Sequence, residues 1–569
     1  MDSLKPVDSN GLGIAIVLGV TGHRDMADAE GVRRLLRQEI ARLQAIYPHS
    51  PFTGLSSLAE GADRLFADVI LELGMPLYVP LPLVAADYEK DFPETVPQFR
   101  QLCGQARLVF EVPGANAGLS RELQYARAGM HVSQRAHILF ALWDGQPARG
   151  LGGTGQIVNL HRTGQFGDVG DEHSLKLLAQ DVSRSSLDEW DQGLVCHIHV
   201  ERSRAAEGHD VLAPPTQPHV EWLYPKGPGP STAGQEGGRD GLLLKMDRYN
   251  AELHALDPLP PAAPRASNVE AGQDDAVTRE YERMVARFNA TDHVANQSVQ
   301  SVRGQFKWLF GLAAVMVWSH EMYADLFPTW HWLLLYLLLM GSIGLIVRGL
   351  RSKHKNSDAI DKRALSEALR VQAAWFRAGV PDMVAKNYLR RDSGHLLWVR
   401  RALIGVSPAL NARAQAGQVE AVKKDWVDGQ LDYFRGSVSK RRHVIESMSR
   451  RGAWLFRLGV VIACVVLALR VMGLVPEHHA IWVIALDMAI GLLPAWAALM
   501  SGYIEFAAYE DDVREHERME RLFDTASRRM ADIPLHDQQQ VIRDLGVEAL
   551  HETASWALLH KSHEARAPG

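Results

Sequence analysis

A chain of 569 residues is too long for one compact domain and suggests about three or four units. Hydrophobic residues at 47% and charged residues at 22% are ordinary globular usage, so most of the chain is expected to fold, and a net charge of −6 argues against a nucleic-acid-binding protein. Three cysteines without paired spacing, Cys103, Cys196 and Cys464, argue against a disulfide framework or a zinc site and fit a reducing compartment. The opening residues, MDSLKPVDSNG, lack the basic-then-apolar pattern of a secretory leader, so the N-terminus is expected in the cytosol.

From residue 1 to about 225, short apolar runs alternate with helical patterns, as in βα units. Strands are expected near Gly13 to Val20, Phe52 to Ser57, Pro76 to Leu81, Arg107 to Val112, His137 to Trp143 and Leu194 to Val200. Helical patterns such as Gly31 to Ile46, Ala62 to Leu73 and Leu119 to Met130 fall between them. The expected fold is an α/β Rossmann-like domain with an open, mostly parallel sheet. Two Pro/Gly-rich stretches, Tyr224 to Gly241 and Asp257 to Asp275, then read as linkers over about residues 226–275.

The rest reads as an all-α membrane region with cytosolic helices. Trp332 to Val347 lies in an uncharged stretch long enough to cross a hydrocarbon core of about 30 Å, and Ile481 to Tyr503 is nearly as apolar, though Asp487 interrupts it. Trp308 to Ser319 and Leu458 to Leu469 are shorter and need snorkelling flanks such as Lys307, Arg457 and Arg470. Pairing each short block with a strong one predicts four transmembrane helices in two hairpins, at about 306–325 and 328–348, then 453–473 and 480–503. Lys and Arg concentrate on the ends facing the large polar segments and are absent from the connectors His320 to His331 and Val471 to Ala480. The positive-inside rule therefore puts both termini in the cytosol. A nine-residue repeat, EALRVQAAW at Glu367 to Trp375 and EALHETASW at Glu548 to Trp556, follows the two hairpins and favours related units at 276–440 and 441–569.

Three polar, glycine-containing loops end successive strands. In GVTGHRD, Gly19 and Gly22 permit close backbone approach, while Thr21, His23 and Arg24 offer donors suited to phosphate. In SSLAEGADRLFADV the candidates are Ser57, Glu60, Gly61, Asp63 and Arg64, and the third loop supplies Asp144, Gly152, Gly153, Thr154 and Gly155. Glycine turns also occur simply to bend the chain, and Asp144 is equally suited to a ribose hydroxyl or to capping its own loop. Taken together, the loops predict a nucleotide-sized phosphorylated ligand at the carboxyl edge of the sheet.

GVTGHRD, SLAEGADRLFA and ALWDGQPARGLGGTGQ together resemble the SLOG superfamily, the Rossmann-like nucleotide-sensing domains related to the LOG phosphoribohydrolases, over about residues 10 to 200. The paired hairpins, each followed by a helix ending in Trp, resemble SLATT two-helix membrane effectors over about 280 to 569. These resemblances imply a bacterial inner-membrane effector in anti-phage defence, whose pore is gated or assembled by a nucleotide or NAD-derived second messenger; because four helices from one chain make a narrow conduit at best, a homo-oligomer is expected. No resident cofactor is expected. LOG phosphoribohydrolases place a catalytic glutamate shortly after their glycine-rich loop, and the corresponding place here holds Gln156, which cannot act as a carboxylate. Binding without turnover is the reading. A membrane-anchored hydrolase using Glu60, Asp63 or Glu122, and a constitutive ion transporter, are the alternatives.

Other candidates carry less chemistry. His197 and His199 share one strand face but lack a third metal ligand, and Trp222 and its neighbours read as domain packing rather than as a base-stacking platform. Asp487 is either a pore-lining cation site or a partner of Arg457 or Arg470.

Overall fold

The structure, a computed structural model, describes residues 12–112, 118–182, 192–202, 217–225, 239–256, 276–352, 355–388, 396–406, 416–474, 481–506 and 509–564. Two compact units are assembled from separated chain segments: the first from 1–292, 364–419 and 542–554, the second from 293–363, 420–541 and 555–569.

The first unit is built on one sheet. In chain order its elements are β1 (Ile16–Gly22), α1 (Ala29–Ile46), β2 (Phe52–Leu55), α2 (Ala62–Glu72), β3 (Leu77–Leu81), α3 (Ala85–Tyr88), α4 (Val96–Gln105), β4 (Leu108–Glu111), α5 (Arg121–Arg135), β5 (Ile138–Trp143), α6 (Thr154–Thr163), α7 (Glu172–Val182), β6 (Leu194–His199), β7 (His219–Leu223) and α8 (Gly241–His254). The strand order is β4-β3-β2-β1-β5-β6-β7, parallel throughout except for antiparallel β7. The expected Rossmann-like sheet is present, with β7 as an addition. Continuous apolar runs suit strands covered on both faces, and β1, β2, β3 and β5 are buried almost end to end. On one face Val17, Leu55, Tyr78, Leu139, Ala141 and Val195 pack with Val132 of α5 and with Ile157 and Val158 of α6.

Helices from later in the chain close the amino end of this sheet. Helix α8 lies inside the span that reads as linker, and its fully buried Asn250 accepts from the Ile14 N–H at 2.9 Å and donates to the Ile14 carbonyl at 3.0 Å. Helix α9 (Ala276–Glu321) begins in this unit, and buried Glu280 accepts from the Tyr78 hydroxyl at 2.8 Å. Helices α10 (Trp330–Ser352), α11 (Lys355–Ala378), α12 (Val384–Asn387) and α13 (Leu397–Ile404) follow. His137 Nδ1 accepts from the Val17 N–H at 2.9 Å, so its Nε2–H donates to the Arg401 carbonyl at 2.8 Å. Gly405, just past α13, sits so close to the Ala15 carbonyl that a Cβ would collide with it.

Helices α14 (Ala416–Val422), α15 (Gly429–Val471), α16 (Ile481–Phe506), α17 (Tyr509–Ala531) and α18 (Leu535–Glu564) complete the chain. The two repeat copies lie on α11 and α18, and these helices meet within the first unit. Fully buried Trp375 donates Nε1–H to the Ile542 carbonyl at 3.2 Å and lies against Gly546, where no side chain fits.

The second unit is helical. Among the described residues, three helices are long and apolar enough to cross a membrane: Trp330–Gly349, and stretches within Gln418–Val471 and Trp482–Ala531. The first apolar block, Trp308 to Ser319, is the end of α9, bounded by Lys307 and Glu321, and is not among them. Helices α15 and α16 cross where Gly459 meets the Pro494 ring, close enough to put a Cβ 3.1 Å from Pro494 Cδ. Leu334, Leu338, Val461 and Leu467 point outward, the pattern of a lipid-facing surface. In its polar half, α15 pairs with α17 through Arg435–Asp524 at 2.8 Å and Arg442–Glu517.

Candidate functional site

The chain runs from β1 outward through β2, β3 and β4, then returns to the other side of β1 with β5. That reversal makes the carboxyl ends of β1 and β5 a topological switch point, where the two following loops diverge and leave a crevice. The loop after β1 and the loop after β5 meet there through His23 and Asp144. His23 Nε2 lies 3.1 Å from both the backbone nitrogen and Oδ1 of Asp144. A neutral imidazole accepts from the N–H, whereas a protonated one donates to the carboxylate. Burial lowers the His23 pKa and Asp144 opposes it, with Arg202 and Arg149 pushing it down further. Burial pushes Asp144 up, but the Gln146 N–H, His23 and Arg202 outweigh it and hold the carboxyl below its usual range. Arg202 Nε reaches Asp144 Oδ2 at 3.2 Å. The switch point thus gathers two guanidinium groups, one imidazole and one carboxylate, an arrangement with spare positive charge.

The first and second loops are in direct contact. Gly61 has φ of 79°, a conformation that favours glycine, and a Cβ there would collide with the Arg24 carbonyl oxygen. The Ala62 N–H, first in α2, donates to the His23 carbonyl at 3.0 Å. At Gly22 a Cβ would lie 2.5 Å from the Leu142 carbonyl oxygen and from Ala62 Cβ. These two glycines therefore let loop pack on loop. Asp63 folds back onto its own loop and accepts from the Ser57 and Ala59 N–H groups; burial nevertheless raises its pKa to about 7, against those bonds and Arg24. Although some of its surface remains accessible, protein surrounds this carboxyl almost completely. Glu60 accepts from the Thr95 hydroxyl at 2.5 Å, and buried Arg64 donates to the Leu58 and Thr95 carbonyls while lying over the Phe92 ring.

The structure thus brings Gly22, His23, Arg24, Ser57, Glu60, Gly61, Asp63, Arg64 and Asp144 to one edge, with Thr21 near the end of β1. Gly19 is elsewhere, inside β1 against α5, where a Cβ would meet Ala136 Cβ at 2.7 Å. The third loop is glycine-rich largely for its own packing: Gly152, at φ of 74°, abuts Ala126 of α5, and Gly155 abuts the Ala148 nitrogen. Gln156 is 3% exposed, accepting from the Gly152 N–H at 2.7 Å and donating to the Val169 carbonyl at 2.8 Å. Its amide staples the loop. Glu122, in the first turn of α5, is exposed.

Besides the single-turn α3, which begins after Val84 without a side-chain cap, four longer helices open at this edge, and they differ in what their first N–H groups meet. Asp28 caps α1, Ser120 caps α5, the His23 carbonyl receives the first N–H of α2, and α6 begins at Gly153 without a side-chain cap. An anion is best accommodated at α6, near Arg149 and Arg202. Sequence reasoning did not single out either arginine. Their only sequence signal is position, since each directly follows a strand end or lies within the loop after one.

Among the described residues no group of three or more His, Cys, Asp or Glu side chains could hold a metal. His197 instead bonds the Trp143 carbonyl at 3.0 Å. In the second unit Asp487 pairs with Arg470 at 2.8 Å, one of the partners expected for it. None of the protein-family models, curated proteins or solved structures compared with the chain matches it.

Proposed function

We propose that the carboxyl edge of the sheet binds a nucleotide-type phosphorylated signal and that this binding gates or assembles a pore formed by the apolar helices. The observation that carries the reading is the convergence of the first, second and third loops at the β1/β5 switch point, with Arg149 and Arg202 beside His23 and Asp144 and with the uncapped start of α6. The SLOG and SLATT resemblances supply the same division of labour, a cytosolic sensor joined to membrane hairpins. In this reading Trp308 to Ser319 serves as a fourth, shorter span paired with α10, the polar segments face the bacterial cytosol, and several subunits complete the pore. Arg470 neutralises Asp487, which makes the latter a structural partner between neighbouring spans in the resting state.

Binding without turnover is favoured because both amide atoms of Gln156 hold the loop and supply no carboxylate. The test is calorimetry of the full chain in nanodiscs against AMP, NAD and cyclic dinucleotides, with mass spectrometry of the recovered ligand and dye release from liposomes. A ligand bound intact, lost at least about tenfold by Arg149→Ala with Arg202→Ala, and able to trigger release supports the reading. Consumption of the nucleotide selects the membrane-anchored hydrolase, and release without any nucleotide selects the constitutive transporter.

A further inference from the structure

The sheet face covered by α5 and α6 changes character within one rung of its carboxyl edge. Lower down it is aliphatic: Leu139 and Ala141 on β5, Val195 on β6, and Leu223 on β7 opposite Val195. Continuing the same alternation upward gives Trp143 on β5, His197 and His199 on β6, and on β7 Glu221 opposite His197, its carboxylate 3.7 Å from His197 Nδ1 and turned largely to solvent, followed by His219 directly opposite His199. The four rings form a row. Trp143 and His197 have centroids 5.0 Å apart, His197 and His199 are edge-to-face at 5.8 Å, and His199 and His219 are stacked at 5.1 Å with 23° between their planes. His197 is buried and held by the Trp143 carbonyl, Trp143 and His199 are half-buried, and His219 is exposed.

A row of flat rings ending in solvent is an unusual use of core-facing positions, where aliphatic side chains would fill space better. The row also lies beside the charged cluster. Asp144 is the residue after Trp143, and it is close enough to His199 to influence its ionisation, as is Glu201. Arg202 lies three residues beyond His199 and reaches Asp144. One edge therefore offers guanidinium groups for phosphate, a carboxylate for a hydroxyl, and ring faces at the far end.

We infer that the ring row of Trp143, His197, His199 and His219 is the platform on which the planar base of a nucleoside phosphate stacks, with its phosphate at Arg149 and Arg202. This inference rests on the phosphate-binding reading above and adds the base, which the loops themselves do not address. Stacking tolerates different bases because each has a π-face. The platform thus selects for a nucleoside phosphate over a simple sugar phosphate more strongly than for one base over another.

The experiment titrates the full chain in nanodiscs with AMP and with ribose 5-phosphate, which share the phosphate and ribose but not the ring. Wild type is expected to bind AMP about tenfold more tightly than ribose 5-phosphate. His199→Ala with His219→Ala should bring the two affinities to within about threefold while leaving ribose 5-phosphate unchanged. His199→Phe with His219→Phe should restore the preference, which a purely structural role for the imidazoles would not predict, and it provides a folded ring variant should the alanine pair fail to fold. Equal affinities in wild type, or a full AMP preference in the alanine pair, overturn the platform and leave the phosphate site standing. Binding of neither compound overturns both.

Discussion

The two ends of the sheet in the first unit are both rich in polar side chains, yet they use them differently. At the amino end the polar groups are sealed: Asn250 on Ile14, His137 between Val17 and Arg401, Glu280 on Tyr78, and buried Arg287 on the Val406 carbonyl at 2.7 Å. Each occupies backbone or side-chain partners that would otherwise be stranded in the interior, so their function is to fasten later helices to the strands. At the carboxyl end Arg24 and Arg149 are exposed, Arg202 is partly so, and His23 has two alternative partners on one residue. A polar group whose removal leaves nothing buried and unpaired is available for a ligand. That distinction separates glue from site without reference to any relative of the chain.

The largest expected effect is at the sealed end. Asn250→Ala leaves the Ile14 N–H and C=O without their buried partner and takes one donor from Ser50, whose hydroxyl still donates to Asp247, at a cost of about 4 kcal/mol in denaturant unfolding of the full chain. If its cost were no larger than that of an exposed arginine at the other end, the contrast would collapse.

The next effect depends on pH. Burial lowers the His137 pKa to about 4 and the His161 pKa to about 3, against an ordinary 6.5. Both are therefore neutral in the fold, and the unfolded chain takes up the protons first as pH falls. Their contribution is complete above pH 6.5 and is lost as pH drops from 6.5 towards 4 for His137 and towards 3 for His161, about 2 kcal/mol for His137 by pH 5. Removing its titration with His137→Gln should reduce the pH slope of stability in that window by about 1 kcal/mol per unit, whatever the variant costs at pH 7. An unchanged slope would mean that His137 is not sealed.

Much of this sheet is readable from sequence because each of its first six strands is an apolar run bounded by turn residues, and the helices Ala29–Ile46 and Ala62–Glu72 fall where their periodicity puts them. Strand β7 is not readable in the same way: HVEWL is short, half polar and close to Pro-rich sequence, and only its pairing with β6 makes it a strand. Without it His219 has no partner and the ring row is invisible. Helix α8 is hidden between two Pro/Gly-rich stretches, and the attachment of segments near 400 and 545 to the sheet rests on contacts between distant residues, which periodicity does not carry. In the loops after β1, β2 and β5, glycine spacing does not reveal the purpose of each glycine. Gly61 and Gly22 serve loop-to-loop packing, while Gly152 and Gly155 serve the third loop's own fold.

The third loop is where the two kinds of polar residue lie closest together, and it provides the smallest and most discriminating test. Gln156 sits at the carboxyl end yet behaves like the residues of the sealed end, nearly fully buried with its oxygen on the Gly152 N–H and its nitrogen on the Val169 carbonyl. Gln156→Glu supplies a carboxylate at this position, but it keeps only the first of these bonds. The second becomes a lone-pair repulsion against Val169, and the new acid must either be buried charged or take up a proton. The expected outcome is a stability loss of about 2 kcal/mol at pH 7, easing as pH falls and the acid is protonated, with no release of base from AMP. Stability equal to wild type together with turnover of AMP would show that residue 156 itself faces the ligand, and it would then belong with Asp144 and Arg149 rather than with the groups that only hold the loop.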